Sequence, residues 1–261
     1  MQYLEQYQNE RNRPTLLLPE AKSAIIIAVN YHPYQLQDPE SPKVARYALG
    51  RDYHKVLKAL LLNLARCIND EIAPHTYRPV VDTAPFMERY WATQSGIGFI
   101  GKNRNLIVPR LGSYLFIGTL LTSLDLESGT PNTLSCGSCQ RCIEACPMGS
   151  LSVDKGLDAR CCISYLTIEH RGDIPPALSR KFGQRLYGCD TCQEVCPHNR
   201  HPKHSAHFLP APQLLHLRRE DLIQLNQETY AKLFYGTAAT RAKLEGMQRN
   251  AEIYLQNNPI E

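Results

Sequence analysis

The sequence predicts a mixed fold of α+β or α/β type. It divides into a first domain over residues 1–130, a cysteine-rich domain over 131–205, and a helical C-terminal segment over 206–261. Three observations carry that division. Short apolar runs alternate with amphipathic stretches up to about residue 130. Nine of the ten cysteines then fall between Cys136 and Cys196. Helical periodicity returns beyond residue 206, in LIQLNQETYAKLF and ATRAKLEGMQRNAEIYL.

Each element of the first domain has its own reason. AIIIAV, residues 24–29, places three β-branched isoleucines in a row and reads as a buried strand. YHKVLKALLLNLARCIN puts Leu57, Leu60, Leu61, Leu64 and Ile68 on one helical face. Cys67 in that helix reads as a small buried hydrophobe. RPVVD reads as a strand, and APFMERYWATQSG as a helix with Pro85 in its first turn. NLIVP and SYLFIGTLLTSL read as two more buried strands. The turn-rich DLESGTPNTLS marks the boundary.

Composition bounds the function classes. The 261 residues are 43% apolar and 21% charged, an ordinary globular composition. The longest apolar runs, AIIIAV and YLFIGTLL, fall well short of the ~18 residues that span a bilayer, so no membrane partner is expected. The polar start, MQYLEQYQNERNRP, is neither a secretory signal nor a twin-arginine leader. A cytoplasmic location and a monomer are the expectations. The net charge of +4 is compatible with a nucleic-acid partner without demanding one.

Ten cysteines in a reducing compartment point to metal rather than disulfides. The first motif is Cys136-x2-Cys139-x2-Cys142-x3-Cys146-Pro147; the second is Cys189-x2-Cys192-x3-Cys196-Pro197. Zinc pairs two C-x2-C knuckles and needs only four ligands. A triplet at x2, x2 suits a cubane better, because three thiolates from one tight loop can take three iron corners. In two-cluster ferredoxins the fourth cysteine of such a run ligates the other cluster. The pattern therefore predicts a ferredoxin-like domain with two [4Fe–4S] clusters. Cys136, Cys139, Cys142 and Cys196 are expected on one. Cys146, Cys189 and Cys192 are expected on the other. Leu186 stands where the second motif would begin with a cysteine, so an eighth thiolate must come from elsewhere. Cys161 and Cys162 lie between the motifs, and spacing does not choose between them.

Two cubanes make a wire for single electrons and leave the endpoint open. Either the first domain holds it, or the chain is a soluble ferredoxin-type electron carrier. Gly96-Ile-Gly98-Phe-Ile-Gly101 spells a dinucleotide fingerprint, but it follows a helix and precedes a strand-like run, the reverse of the required context. His198, His201, His204 and His207 recur at every third residue, yet Pro202 argues against a shared helical face. With Arg200 and Lys203 they read as a basic turn able to meet phosphate. Arg241, Lys243 and Arg249 allow the same reading.

Taken in order, RYALGRDYHKVL, VVDTAPFMERYWATQSGIGFIGKNRNLI, LGSYLFIGTLL, CGSCQRCIEACPMGS, CCISYLTIEHRG and GCDTCQEVCPHN resemble the epoxyqueuosine reductases. The resemblance runs from about residue 15 to 250. It implies a cobalamin-dependent iron–sulfur enzyme that reduces epoxyqueuosine to queuosine at the wobble position of tRNA with a GUN anticodon, fed by an external low-potential electron donor. It implies a cobalamin-binding, reductase-like first domain. It also implies roughly fifty further N-terminal residues that would complete that domain. A corrinoid reductive dehalogenase would share the machinery but is expected with a twin-arginine leader and a membrane partner.

The resemblance selects Cys162 as the eighth cluster ligand. It puts Asp82 on the family's catalytic acid, where the residues alone suggest an ordinary helix N-cap. A carboxyl that donates a proton at neutral pH needs a raised pKa. Arg46, Tyr53, Asp82, Ser164, Cys189 and Asp190 match positions that hold cobalamin in the family. Asp52 and His54 match polar contacts or second proton sources. Asp52-x-His54 begins like a cobalt-ligating signature, but Leu57 replaces its glycine, so His54 is not expected to bind cobalt. Arg89 is placed to pair with Asp82, and Arg171 in EHRG is a candidate tRNA contact.

Overall fold

The computed structural model describes residues 6–259. Residues 1–5 of the polar start and residues 260–261 lie outside it. The chain forms two compact units. Among the described residues the first comprises 6–30, 53–101 and 105–135; the second comprises 31–52, 102–104 and 136–259. The second unit thus takes up residues 31–52 and the triplet Lys102–Arg104. Among the described residues no helix is long and apolar enough to cross a membrane.

The first unit is built on a three-stranded sheet. Strand β1 (Ser23–Asn30) carries the isoleucine run. Helix α1 (Tyr53–Glu71) follows, then β2 (Tyr77–Val80), helix α2 (Glu88–Gln94) and β3 (Leu115–Thr122). β3 is central, with β1 and β2 antiparallel on either side. The alternation of strands and helices suggests an α/β domain, but every pairing in this sheet is antiparallel. Periodicity reports which residues are buried and not which strands are neighbours. The NLIVP strand shrinks to Leu106–Ile107, paired antiparallel with Phe99–Ile100.

The pleat sends alternate residues of β1 to opposite faces. On one face, Ala24, Ile26 and Ala28 pack toward Leu17, Val80, Phe86, Ala92, Leu106 and Leu121. On the other lies α1. Its Leu57, Leu61, Ala65 and Ile68 are buried, and Leu57 and Leu61 are wholly so. Gly118 of β3 makes room for them. A Cβ there would stand 3.2 Å from Ile27, Leu57 and Leu61 side-chain atoms. Fully burying a leucine stabilises by roughly 1.5–3 kcal/mol, so this seam anchors the helix that begins at Tyr53. Cys67, expected in the core, is exposed on the outer face of α1. It sits one position before buried Ile68, outside the apolar stripe.

Pro85 does not open α2, which starts three residues later at Glu88. Residues 82–85 form a bend instead. Asp82 in that bend has φ 45°, a left-handed conformation rare for a residue with a side chain. The fingerprint glycines serve a close approach between loops: a Cβ on Gly98 would collide with the Ile107 carbonyl oxygen.

In the second unit the strand Lys43–Val44 pairs in parallel with Arg185–Tyr187. Leu186, at the position of the absent cysteine, is fully buried in that strand. Three short helices carry or flank cysteines: α3 (Arg141–Glu144), α4 (Ile163–Ile168) and α5 (Thr191–Glu194). Helix α6 (Gln227–Phe234) and the terminal helix α7 (Lys243–Asn257) complete the unit. α7 is part of its core. Ile253 packs with Ile163, Leu166, Ile174 and Phe182. Buried Asn250 donates to the Thr167 carbonyl at 2.8 Å.

Candidate redox centre and acid group

Both cysteine motifs fold in the same way. Each runs through a single helical turn, α3 or α5, and a proline follows its last cysteine. Proline cannot continue a helix, so the chain turns away there. Gly188, at φ 70°, lets the second motif start against the segment Ala45–Tyr47; a Cβ there would meet Ala45 Cβ at 2.5 Å. All ten cysteines are free thiols.

The thiols sort themselves electrostatically. Burial raises the pKa of Cys142, and Cys136, Cys196 and Cys139 raise it further. Burial likewise raises Cys196, and Cys136 and Cys139 add to the effect. In the second group, burial raises Cys162, with Cys189 and Cys146 adding to the effect. Burial raises Cys192 most strongly, followed by Cys189, Cys162 and Asp190, with Cys142 last. These couplings are consistent with the two expected quartets, Cys136, Cys139, Cys142 and Cys196, and Cys146, Cys162, Cys189 and Cys192. Cys192 and Cys142 link them.

The donor set suits iron–sulfur chemistry. Buried thiols that raise one another's pKa become thiolates once cationic iron compensates the charge. Among the described residues no three His, Cys, Asp or Glu side chains converge as a single-ion site. A cubane differs, since each thiolate meets its own iron corner. Cys146 differs from the other buried thiols. Burial pushes its pKa up, but hydrogen bonding to Ser150, at 3.1 Å, and to backbone N–H groups outweighs burial and lowers it.

Beside the second quartet lies a cleft of about 350 Å³ within the second unit, lined by Ala45, Arg46, Gly188, Cys189, Asp190 and Glu194 among others. The Arg46 N–H donates to Asp190 Oδ2 at 2.8 Å, and its guanidinium contacts Asp190 at 3.5 Å and Glu194 at 2.9 Å. Burial raises the Asp190 pKa to about 6, against the opposing pull of Arg46. Ser164, at the start of α4, donates to the Cys189 carbonyl at 3.5 Å. Four of the residues matched to cobalamin contacts, Arg46, Ser164, Cys189 and Asp190, thus stand together in one unit.

The other two, Tyr53 and Asp82, meet in the first unit. Tyr53 Oη donates to Asp82 Oδ2 at 2.8 Å, and His54 Nε2 lies 3.2 Å from the same oxygen. Tyr53 is sandwiched, its ring stacked on His54 at 4.1 Å and on Phe116 at 4.2 Å. Asp82 is not a helix cap, because five residues separate it from α2. Its side chain is 61% exposed, so protein burial does not desolvate it. The buried acid nearby is Glu88, the first residue of α2. Its Oε1 is buried without a hydrogen-bond partner. Burial raises its pKa to about 7; its own backbone N–H opposes the rise, the Asp82 charge adds to it, and Arg89 and Arg11 oppose it. Nothing in the DTAPFMER pattern distinguishes Glu88, because its burial comes from tertiary packing.

The candidate tRNA residues have structural duties. Arg171 is exposed and donates to the Ile168, Ala242 and Arg241 carbonyls. Arg249 is half-buried and donates to the His170, Gly172 and Leu166 carbonyls, and Arg241 forms a bidentate pair with Glu169. The histidine run forms no common face; His204 instead contacts the Pro33 carbonyl at 3.1 Å, and its ring lies 5.5 Å from that of His32.

The quartets define the class first: an iron–sulfur protein whose residues 135–199 match the family model of the 4Fe-4S double cluster binding domain. Residues 11–83 match a second family model, Epoxyqueuosine reductase QueG, DUF1730. The epoxyqueuosine reductase of Cellulophaga algicola is 41% identical over 254 residues, covering 97% of this chain and 83% of the relative. The solved structure of epoxyqueuosine reductase from Streptococcus thermophilus superposes with a TM-score of 0.87 at 34% identity, over 97% of this chain and 69% of that one. A crystal structure of epoxyqueuosine reductase with an epoxyqueuosine-modified tRNA-Tyr stem loop superposes at 0.82 and 33% identity, over 94% of this chain and 67% of that one. The chain belongs to the epoxyqueuosine reductase family, a family of oxidoreductases.

Proposed function

We propose that the chain reduces epoxyqueuosine to queuosine in tRNA, with electrons passing through two [4Fe–4S] clusters to cobalamin. The observation that carries this reading is a 4Fe-4S double cluster binding domain in a member of this family, whose thiol couplings are consistent with two crossed quartets. The reaction takes two electrons and two protons, removes the epoxide oxygen as water and leaves an alkene. When bound, the clusters would supply single low-potential electrons and cobalamin the strong reductant that acts on the substrate.

The chain's own residues supply placement and protons. Cys136, Cys139, Cys142 and Cys196 would hold one cluster; Cys146, Cys162, Cys189 and Cys192 would hold the other. Arg46, Ser164, Cys189 and Asp190 of the second unit are proposed as cobalamin contacts; in the first unit Tyr53 and Asp82 are each proposed as such a contact on family grounds. Arg46, Asp190, Thr191 and Glu194 in the lining of the 350 Å³ cleft could pair with the amide groups that fringe a corrin. Asp82 would give a proton to the departing oxygen. Its carboxyl is held by Tyr53 and His54. Because the protein leaves it exposed, the desolvation that raises its pKa must come from whatever covers it during turnover. Arg171 is proposed as a tRNA contact, with affinity that falls steeply as salt is added.

The test is anaerobic reconstitution, quantification of iron, sulfide and cobalamin, and then turnover of epoxyqueuosine-tRNA with a low-potential reductant. The reading expects corrin uptake and a modified nucleoside lighter by one oxygen. Clusters without corrin uptake or product would mark the chain as an electron carrier instead.

A further inference from the structure

Lys102 belongs to the GKN triplet and, with Asn103 and Arg104, to the second unit. Its backbone N–H donates to Cys136 Sγ at 3.4 Å. Its ammonium donates to the Gly137 and Cys139 carbonyl oxygens, each at 2.9 Å. One residue therefore closes over the first loop of the first quartet with both its backbone and its charge. At the second quartet the side chains seen to meet the sulfurs themselves are hydroxyls, not an ammonium. Ser150 Oγ lies 3.1 Å from Cys146 Sγ, and Thr191 Oγ1 lies 3.4 Å from Cys189 Sγ. Arg185 donates to the same threonine oxygen at 2.6 Å, so its guanidinium stands one hydroxyl removed from the sulfur.

We propose that Lys102 is a positioning residue for the first cluster, whose fixed charge raises that cluster's reduction potential while leaving the second cluster's unchanged. This rests on the reading that both quartets hold [4Fe–4S] clusters. When a cluster takes one electron from a low-potential donor its net charge falls by one, and all its thiolate ligands stay bound. A cation fixed beside it stabilises the reduced form more than the oxidised form, so reduction becomes easier. The carbonyl bonds matter because they fix the ammonium there, at the loop carrying Cys136 and Cys139. The backbone N–H···S contact survives any side-chain change, so substitution isolates the charge.

The test compares wild type with Lys102→Gln, Lys102→Met and Lys102→Arg. Iron and sulfide are counted first. A wild type holding about four irons or none, rather than about eight, sinks the two-cluster reading and this inference with it. With about eight bound, an EPR-monitored redox titration decides on Lys102 alone. The Gln and Met variants are expected to show one reduction step moved to more negative potential and the other unmoved. Lys102→Arg keeps both near wild type. In a Cys146→Ser background, which retains the first quartet, the remaining step is the one that moves. The proposal is overturned if neither step moves, or if both move equally. Loss of the first cluster in both neutral variants, with Arg retaining it, would assign Lys102 to cluster retention and overturn it too.

Discussion

The acid group around Asp82 and the thiol quartets solve opposite problems. The thiols are mostly part-buried and coupled to one another electrostatically, and burial raises the pKa of Cys142, Cys162, Cys192 and Cys196. Asp82 is exposed, in a left-handed bend, tied by Tyr53 and His54. Electron storage benefits from a closed, low-dielectric setting where charges couple strongly. Proton delivery to a group on a large polynucleotide needs an open surface that the substrate itself can cover. Under the proposed role the exposure of Asp82 fits that need, and the aromatic stack of His54, Tyr53 and Phe116 holds in place the two groups bonded to its carboxyl.

That contrast can be broken most sharply at Asp82. Asp82→Asn should lower turnover by about 10²-fold or more, the scale of a lost general acid. Iron and sulfide content should stay at the wild-type level. Wild-type turnover in this variant would remove Asp82 from the proton path. Glu88 tests the buried side of the same region. A carboxyl whose folded pKa is raised to about 7 from 4.5 favours folding most below the lower value. Stability is then lost as pH rises toward 7 and is level above it. Glu88→Gln should abolish that slope and stabilise the chain at pH 8 by up to about 3 kcal/mol. Thermal unfolding at pH 5 and pH 8 checks it; parallel shifts at both pH values would count against a buried neutral acid.

Tyr53→Phe keeps the stacked ring and deletes one hydrogen bond to Asp82. A bond to a charged group contributes roughly 1.5–3 kcal/mol, so turnover should fall by about tenfold to a hundredfold with both clusters intact. An unchanged rate would show that His54 alone suffices to hold the carboxyl. At the small end, Cys67→Ser should change stability by less than about 0.5 kcal/mol and leave iron content untouched, because the thiol is exposed. A loss of iron there would reopen the choice of ligands.

What is legible in the sequence follows the same divide. The isoleucines of β1 and the stripe of Leu57, Leu61 and Ile68 along α1 are readable, since their periodicity is local. So is the 4Fe-4S domain, because thiol spacing within a tight loop is local as well. The antiparallel order of the sheet is not, and neither is the membership of residues 31–52 in the second unit; both depend on long-range pairing that no window contains. Asp82 looks like a cap because DTAP has the composition of a helix start. Its positive φ and the late start of α2 override that local preference. Glu88 and Lys102 look like ordinary surface charges in their motifs. Packing against one and a loop folded beneath the other make them distinctive.

The central claim is that the quartets cross, each motif lending its last cysteine to the other's group. The most direct test is EPR with iron quantification on Cys146→Ser and Cys196→Ser side by side. The account predicts that Cys146→Ser loses the cluster of Cys162, Cys189 and Cys192 and keeps that of Cys136, Cys139 and Cys142, and that Cys196→Ser does the reverse. If each substitution instead destroys the cluster of its own motif, the quartets do not cross and the assignment is wrong.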